Sequence, residues 1–221
     1  MLRLHDHRTG RAEPLPGGQG LRVQVLTDAS GGARYRRAVV ADLLRRVAER
    51  GGRRVRVCCT PPPADDLADY NVQPFEDISL PEADVYVSGA ADADALCLVV
   101  PDETGGWAAP DALAARLAML ETPYREPLDL SPARVSSARE RLDGWRRGVA
   151  GWATSPGRPL NREYAREAEA ALADDLGGPA ALAVLDRLAA DPDVPPGAKL
   201  ETAIHLDLLL GLGLVAAIGT A

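Results

Sequence analysis

The sequence predicts an α/β fold, a parallel sheet in the N-terminal half followed by a C-terminal α-helical bundle. Three observations carry this. Residues 21–26, LRVQVL, alternate as a strand and lead through a Gly-containing turn into an amphipathic helix and a second strand, 55-VRVCC-59. Two further short, β-branched runs follow, 83-ADVYVSGA-90 and 95-ALCLVV-100, each bounded by turn residues. Past Pro110 the strand pattern stops, and 111–120, 131–152, 160–176, 178–190 and 197–215 all carry helical periodicity.

Taken in order, the N-terminal stretch 2-LRLHDHRTGRAEPL-15 is strand-like and lacks the apolar core of a signal peptide. The helix over 37–49 presents Val39, Leu43, Leu44 and Val47 on one stripe, and Gly51 and Gly52 end it. A strand–helix–strand unit of this length predicts parallel strands joined by a right-handed crossover. The prolines at 61–63 stop the second strand, residues 64–82 read as irregular, and 101–110 as a loop. In the second half, Ser131 before Pro132 has the form of an N-cap followed by proline at the first helical position. The expected division is 1–110 for the α/β part and 111–221 for the helical bundle.

The chain has 221 residues, 46% of them apolar, and no apolar run long enough to span a bilayer. A soluble, cytoplasmic protein is expected, with no membrane partner. The net charge of −7 argues against a chain whose main task is gripping nucleic acid. Arg34, Arg36, Arg37, Arg45 and Arg46 cluster, as do Arg53, Arg54 and Arg56; these read as solvated helix and strand ends. The three cysteines, Cys58, Cys59 and Cys97, form no CxxC pair, so a zinc ribbon is not expected and buried thiols are. Lys199 is the one lysine, with arginine, alanine and proline abundant in the manner of a GC-rich genome.

The turn 27-TDASGGAR-34 is the first candidate site. It is neither GxGxxG nor GxxxxGK[ST]. Even so, Ser30, Gly31 and Gly32 would present backbone N–H groups at a helix N-terminus, where an anion is favoured, whereas Asp28 repels one unless it caps the helix. Spacing leaves two readings open, a tight corner and an anion site. Thr27, Asp28 and Ser30 follow the carboxyl end of a strand, where open α/β sheets bind ligands, with Arg36 just beyond. Cys58, Cys59 and Thr60 end the neighbouring strand on the same rim, and Asp65 and Asp66 follow it, either as ligand contacts or as a solvated turn. Trp107 flanks a pocket or makes an ordinary contact. His205, on an apolar helix, reads as a satisfied core histidine. His5 and His7 would share one strand face.

The opening stretch, then 22-RVQVL-26, 42-DLLRRV-47, 55-VRVCCT-60 and 64-ADD-66, run in a recognisable order. They are followed by 113-LAARLAMLETPYREPLDLS-131, 138-ARERLDGWRR-147, 171-ALADDLGGPAALAVLDRL-188 and 199-KLETAIHLDLLLGLGL-214. In this order and content the chain resembles cysteinyl-tRNA synthetases and, more closely, mycothiol cysteine ligases, which join cysteine to glucosaminyl-inositol with ATP. The most specific piece holds Asp174, Asp175, Leu176, Pro179 and Ala180. Tyr124 and Arg125 match the family's His-Tyr-Arg motif, with Pro123 in place of the histidine. The resemblance implies a trimmed Rossmann-like, class I synthetase-like domain followed by a helical bundle, ending without an anticodon-binding domain. Asp174 and Asp175 would cap or bridge helices.

The departures carry the functional expectation. The family's HIGH signature stabilises charge on the phosphates, yet a shortened loop with SGGAR stands in its place, and no histidine lies between residues 8 and 204. KMSKS supplies lysine charge to pyrophosphate, but Lys199 lies far downstream. Leu26 stands where the first zinc-ligating cysteine belongs, and the insertion carrying the other ligands is missing. Losing charges that stabilise a transition state costs several kcal/mol each. The expectation is a non-catalytic paralogue acting as a small-molecule-binding or protein-interaction module. The alternatives are a divergent ligase transferring cysteine or another aminoacyl group from a preactivated donor, and a subunit binding a full-length synthetase, a ligase or tRNA. No cofactor and no zinc are expected, with ATP or an adenylate as the residual ligand. tRNA is the least expected partner. A homodimer or a partner protein would cover the trimmed α/β face.

Overall fold

The computed structural model describes residues 1–15, 17–26, 35–61, 67–78, 82–90, 95–105 and 111–219. The chain opens with an antiparallel hairpin, β1 (Arg3–Asp6) and β2 (Arg11–Pro14), closed by a turn in which the Asp6 carbonyl accepts from Gly10 N–H. Then come β3 (Gly20–Leu26), α1 (Tyr35–Arg50) and β4 (Arg54–Thr60), the expected strand–helix–strand unit with parallel strands. β5 (Val85–Ser88) and β6 (Leu96–Val99) complete a four-stranded sheet of order β4-β3-β5-β6, parallel throughout. A two-residue parallel pair, β7 (Glu103–Thr104) and β8 (Leu128–Asp129), brackets α2 (Ala112–Leu120). The remaining helices are α3 (Pro132–Trp152), α4 (Arg162–Ala173), α5 (Gly178–Ala190) and α6 (Pro196–Leu210).

The sheet register explains its two faces. Val23, Val25, Val57, Val85, Val87, Leu96 and Leu98 share one parity, are all buried, and belong to the core with α1, which packs across β3, β4 and β5. The opposite parity carries Gln24, Cys58, Tyr86 and Cys97 in one row, with the ion pairs Arg22–Asp84 at 2.9 Å and Arg56–Glu76 at 2.8 Å towards the amino end. The core does not stop at the sheet. One apolar cluster runs from Val23 and Leu44 through Leu117 and Leu142 to Leu182 and Leu206.

The helix ends follow their local chemistry. Ser131 caps α3, its hydroxyl accepting from Arg134 N–H at 3.4 Å, with Pro132 in the first turn. Asn161 caps α4 in the same manner. Gly211 ends α6 at φ +67°, and the Cβ of any other residue there would stand 2.8 Å from the Arg116 guanidinium.

The arginines of α1 depart from the expectation of solvated helix ends. Arg36, Arg37 and Arg45 are buried. Their positions on α1 turn them towards the loops between strands and between helices, which present backbone carbonyls. Arg45 Nη1, for example, donates to Pro74 O at 3.1 Å and to Gln73 Oε1 at 3.2 Å. A periodicity count sees only charge; it does not see the acceptors that other segments bring. Arg54 and Arg56 are exposed, as expected, and Arg34 lies outside the described residues.

Candidate functional site

A doubly wound sheet binds ligands where successive connections leave in opposite directions, at the carboxyl ends of the strands. From β3 the chain crosses to β4 on one side and returns to β5 on the other, so the crevice lies beyond Leu26 and Ser88. Among the described residues, Arg37 reaches across it. Arg37, in the first turn of α1, donates from Nη1 to Leu26 O at 3.1 Å, from Nε to Val100 O at 3.4 Å and from Nη2 to Asp102 Oδ1 at 2.6 Å. Gly89, directly after β5, is needed for this: a Cβ there would lie 2.1 Å from Arg37 Nη2. A guanidinium therefore lies across the ends of β3, β5 and β6, with its donors engaged by two carbonyls and a carboxylate.

The N-terminus of α1 has a carboxyl group beside it. The Glu103 side chain, from β7, lies near the backbone N–H groups of Tyr35 and Arg36, though its oxygens meet strict hydrogen-bond geometry with no group among the described residues. Burial pushes its carboxyl above the usual glutamate range, against the pull of those N–H groups. Arg36 beside it donates to Glu126 O at 2.6 Å and Pro123 O at 2.9 Å, which ties the helix start to the loop before β8. Burial draws the Arg36 pKa down, and Glu103 opposes that shift.

Of the residues singled out in the sequence, Thr27, Asp28, Ser30, Gly31, Gly32, Asp65 and Asp66 lie outside the described residues, as does Trp107. Arg36 is buried at the crevice's edge, with two donors engaged as above. Cys59 pairs with Val25 in register, half-buried on the α1 face, its Sγ 3.3 Å from Pro61 O. Cys58 faces the other way, fully buried, and that burial raises its thiol pKa. Gln24 closes the row at the strand ends by donating to Thr60 Oγ1 at 2.9 Å. Arg37 reads in the sequence as a solvated helix arginine, and Asp102 and Glu103 carry no signal there. An arginine on a helix and two acids in a loop carry no local signal, and only the crossing of β6 towards α1 joins them.

Two further clusters tie the molecule together. Asp42, in mid-α1 and fully buried, accepts from Arg116 Nη2 and Arg46 Nε, both at 2.7 Å, and from Gln73 N–H at 3.0 Å. Arg116 also holds Tyr70 O and Leu210 O, at 2.9 and 2.8 Å. At the other cluster Asp175 Oδ1 accepts from Tyr124 Oη at 2.6 Å and from His5 N–H at 2.8 Å, and Oδ2 accepts from Arg125 Nε at 3.0 Å. Burial and this carboxylate both raise the Tyr124 pKa, so the phenol stays protonated. The opening stretch, the Tyr124–Arg125 pair and the Asp174–Asp175 pair thus meet at one point. Gly178 follows closely, since a Cβ there would lie 2.6 Å from Leu120 O.

No known family profile matches the chain. Curated relatives do. The chain is 39% identical over 85 residues to the L-cysteine:1D-myo-inositol 2-amino-2-deoxy-alpha-D-glucopyranoside ligase of Kytococcus sedentarius, covering 36% of this chain and 19% of that protein. It is 37% identical over 108 residues to the ligase of the same name from Streptomyces griseus, covering 47% of this chain and 25% of that protein. A cysteine–tRNA ligase of Parvibaculum lavamentivorans is 38% identical over 90 residues, 40% of this chain and 19% of its own length. Over these segments the chain is a relative of the cysteine ligases. It spans about a quarter or less of the curated proteins it matches.

Against that family the residues can be tested. Zinc needs lone-pair donors, and β3 ends on Leu26, which has none. Among the described residues no three His, Cys, Asp or Glu side chains are grouped so as to hold a metal ion. Lys199 Nζ donates to Ala189 O at 2.8 Å and lies 5.5 Å from the centre of the Trp152 ring. His205 Nε2 is 2.8 Å from Glu169 Oε1. It is the satisfied core histidine that its helix predicts. His5 lies in β1 and His7 in the turn beyond, so they do not share a strand face. No helix among the described residues is long and apolar enough to cross a membrane.

Proposed function

We propose that this chain is a cysteine ligase-like paralogue that keeps the scaffold without activating an amino acid, and that it serves as a small-molecule-binding or protein-interaction module. The observation that carries this reading is Arg37. In a working site of this architecture the crevice at the strand ends must admit the phosphates of a nucleotide. Here a guanidinium lies in it, held by Leu26 O, Val100 O and Asp102. An anion favoured at the start of α1 has an internal substitute in Glu103. The chain's one lysine and its third histidine lie in the helical half. Lys199 is fixed on the bundle, and His205 is hydrogen-bonded to Glu169. Zinc and other cofactors have no role in this reading.

The test is cysteine-dependent exchange of pyrophosphate into ATP by the purified chain. No exchange above the protein-free control is expected. Exchange that requires both cysteine and this protein would overturn the proposal. A thermal-shift series with ATP, cysteine, glucosaminyl-inositol and a cysteinyl-adenylate analogue then separates its two arms. A shift with glucosaminyl-inositol or the adenylate analogue alone identifies a retained ligand; no shift with any of them leaves the interaction role.

A further inference from the structure

At the opposite, amino edge of the sheet lies a cleft of about 750 Å³, bounded by the N-terminal stretch, the loop before β3, the last turn of α1, and α4. Its size is that of a site for a drug-sized molecule. The floor is apolar: Val47, Leu172 and Leu209 are buried, and Leu2 and Leu15 half-buried. The charged lining is unbalanced. Arg50, Arg53 and Arg166 line it, Arg53 donating to Gly18 O at 3.1 and 3.2 Å, with Glu169 the single carboxylate in the lining, in a chain whose net charge is −7. Glu169 is already engaged: Oε1 accepts from Arg50 Nε at 3.0 Å and from His205 Nε2 at 2.8 Å. Burial pushes its carboxyl up, but these two hydrogen bonds hold it below the usual range, so it stays ionised and keeps Arg50 directed over the cleft. Arg166, exposed on α4, makes no hydrogen bond or ion pair among the described residues. It shares one helical stripe with Glu169, Ala170 and Ala173, so its stem borders the apolar floor.

We propose that this cleft binds a small amphiphile with one anionic head on an apolar tail, the tail lying on Val47, Leu172 and Leu209 and the head at Arg166 and Arg50. Charge selects the head: an excess of arginine over one paired carboxylate favours an anion, and guanidinium forks suit a carboxylate or a phosphate monoester. Concavity selects a small molecule over a protein surface. The site is at the far edge of the sheet from the Arg37 crevice, so it stands or falls independently of the proposed loss of amino-acid activation.

The test is calorimetric titration of the full chain with dodecanoate, dodecyl phosphate and uncharged dodecanol, below their micelle or solubility limits. Saturable binding of one anion per chain is expected, with dodecanol at least about tenfold weaker; the tighter of the two anions identifies the head group. Arg166→Gln should weaken both anions about tenfold and leave dodecanol unchanged. Ala170→Trp, at an exposed lining position, should remove all three while the circular dichroism spectrum is retained. No saturable binding of either anion, equal affinity for dodecanol, or full binding by a folded Ala170→Trp protein would each overturn the proposal. If Ala170→Trp does not fold, the selective effect of Arg166→Gln decides.

Discussion

At its N-terminal end α1 meets groups that the chain itself provides: Arg37 lies across the strand ends, and Glu103 stands near the first backbone N–H groups. At its C-terminal end the same helix borders a cleft where Arg50, Arg53 and Arg166 outnumber Glu169. The first end is the one where this architecture ordinarily receives a ligand, and here Arg37 and Glu103 lie at it. The second has no such role in the architecture, and it is open. The difference teaches that side chains from distant segments, and not the shape of the sheet alone, set what surrounds each end of α1. Arg37, whose acceptors come from the end of β3 and from the Val100–Asp102 stretch after β6, lies at the strand ends of a sheet that is parallel throughout.

The largest effect is expected midway between the two ends. Arg116→Ala leaves Asp42 buried with half its cation support and frees the Tyr70 and Leu210 carbonyls. A loss of about 3–5 kcal/mol is expected, as for breaking a buried ion pair, read from urea unfolding. A loss below about 1 kcal/mol would mean that α1 is not anchored at its centre, and the comparison of its ends would lose its fixed point.

Next comes Gly89→Ala. Its Cβ would stand 2.1 Å from Arg37 Nη2, so an immobile guanidinium should cost about 1–3 kcal/mol. The same change made in an Arg37→Ala background should cost little, and that coupling is the measurement. Equal costs in both backgrounds would show that the arginine does not fill the crevice.

The smallest effect concerns pH. Burial raises the Glu103 pKa, so its protonated form favours folding. That contribution is present below the ordinary glutamate value of about 4.3 and is lost as pH rises through the higher folded-state value. Glu103→Gln, a neutral isostere, should therefore be more stable than the parent at pH 7, with the gap closing as pH falls towards 4. A gap that stays constant over this range would show that helix α1 fully compensates the buried charge.

Much of this was legible in the sequence because it depends on neighbours in the chain. The strand–helix–strand unit, the cap at Ser131, the core role of His205 and the end of α1 at Gly51 and Gly52 all rest on spacings of a few residues. The similarity to cysteine ligases was legible as well, in LRLHDHRTGR, Tyr124–Arg125 and Asp174–Asp175. What could not be read was why those three belong together. They converge on one carboxylate, Asp175, and nothing in any one of them indicates the other two. The burial of Arg36, Arg37 and Arg45 was not legible for the same reason: charge reads as exposure until the acceptors on other segments are known.

The sequence by itself determined the elements, their order, the parallel sheet and the family likeness. Strand alternation, helical period and glycine punctuation are local consequences of backbone geometry and of which side chains can face an apolar core. Only the tertiary structure decided what each end of α1 can hold. A site is a sum of electrostatic and packing terms between groups distant in sequence, such as Arg37 with Asp102 or Arg50 with Glu169, and those terms exist only once the chain has closed around them.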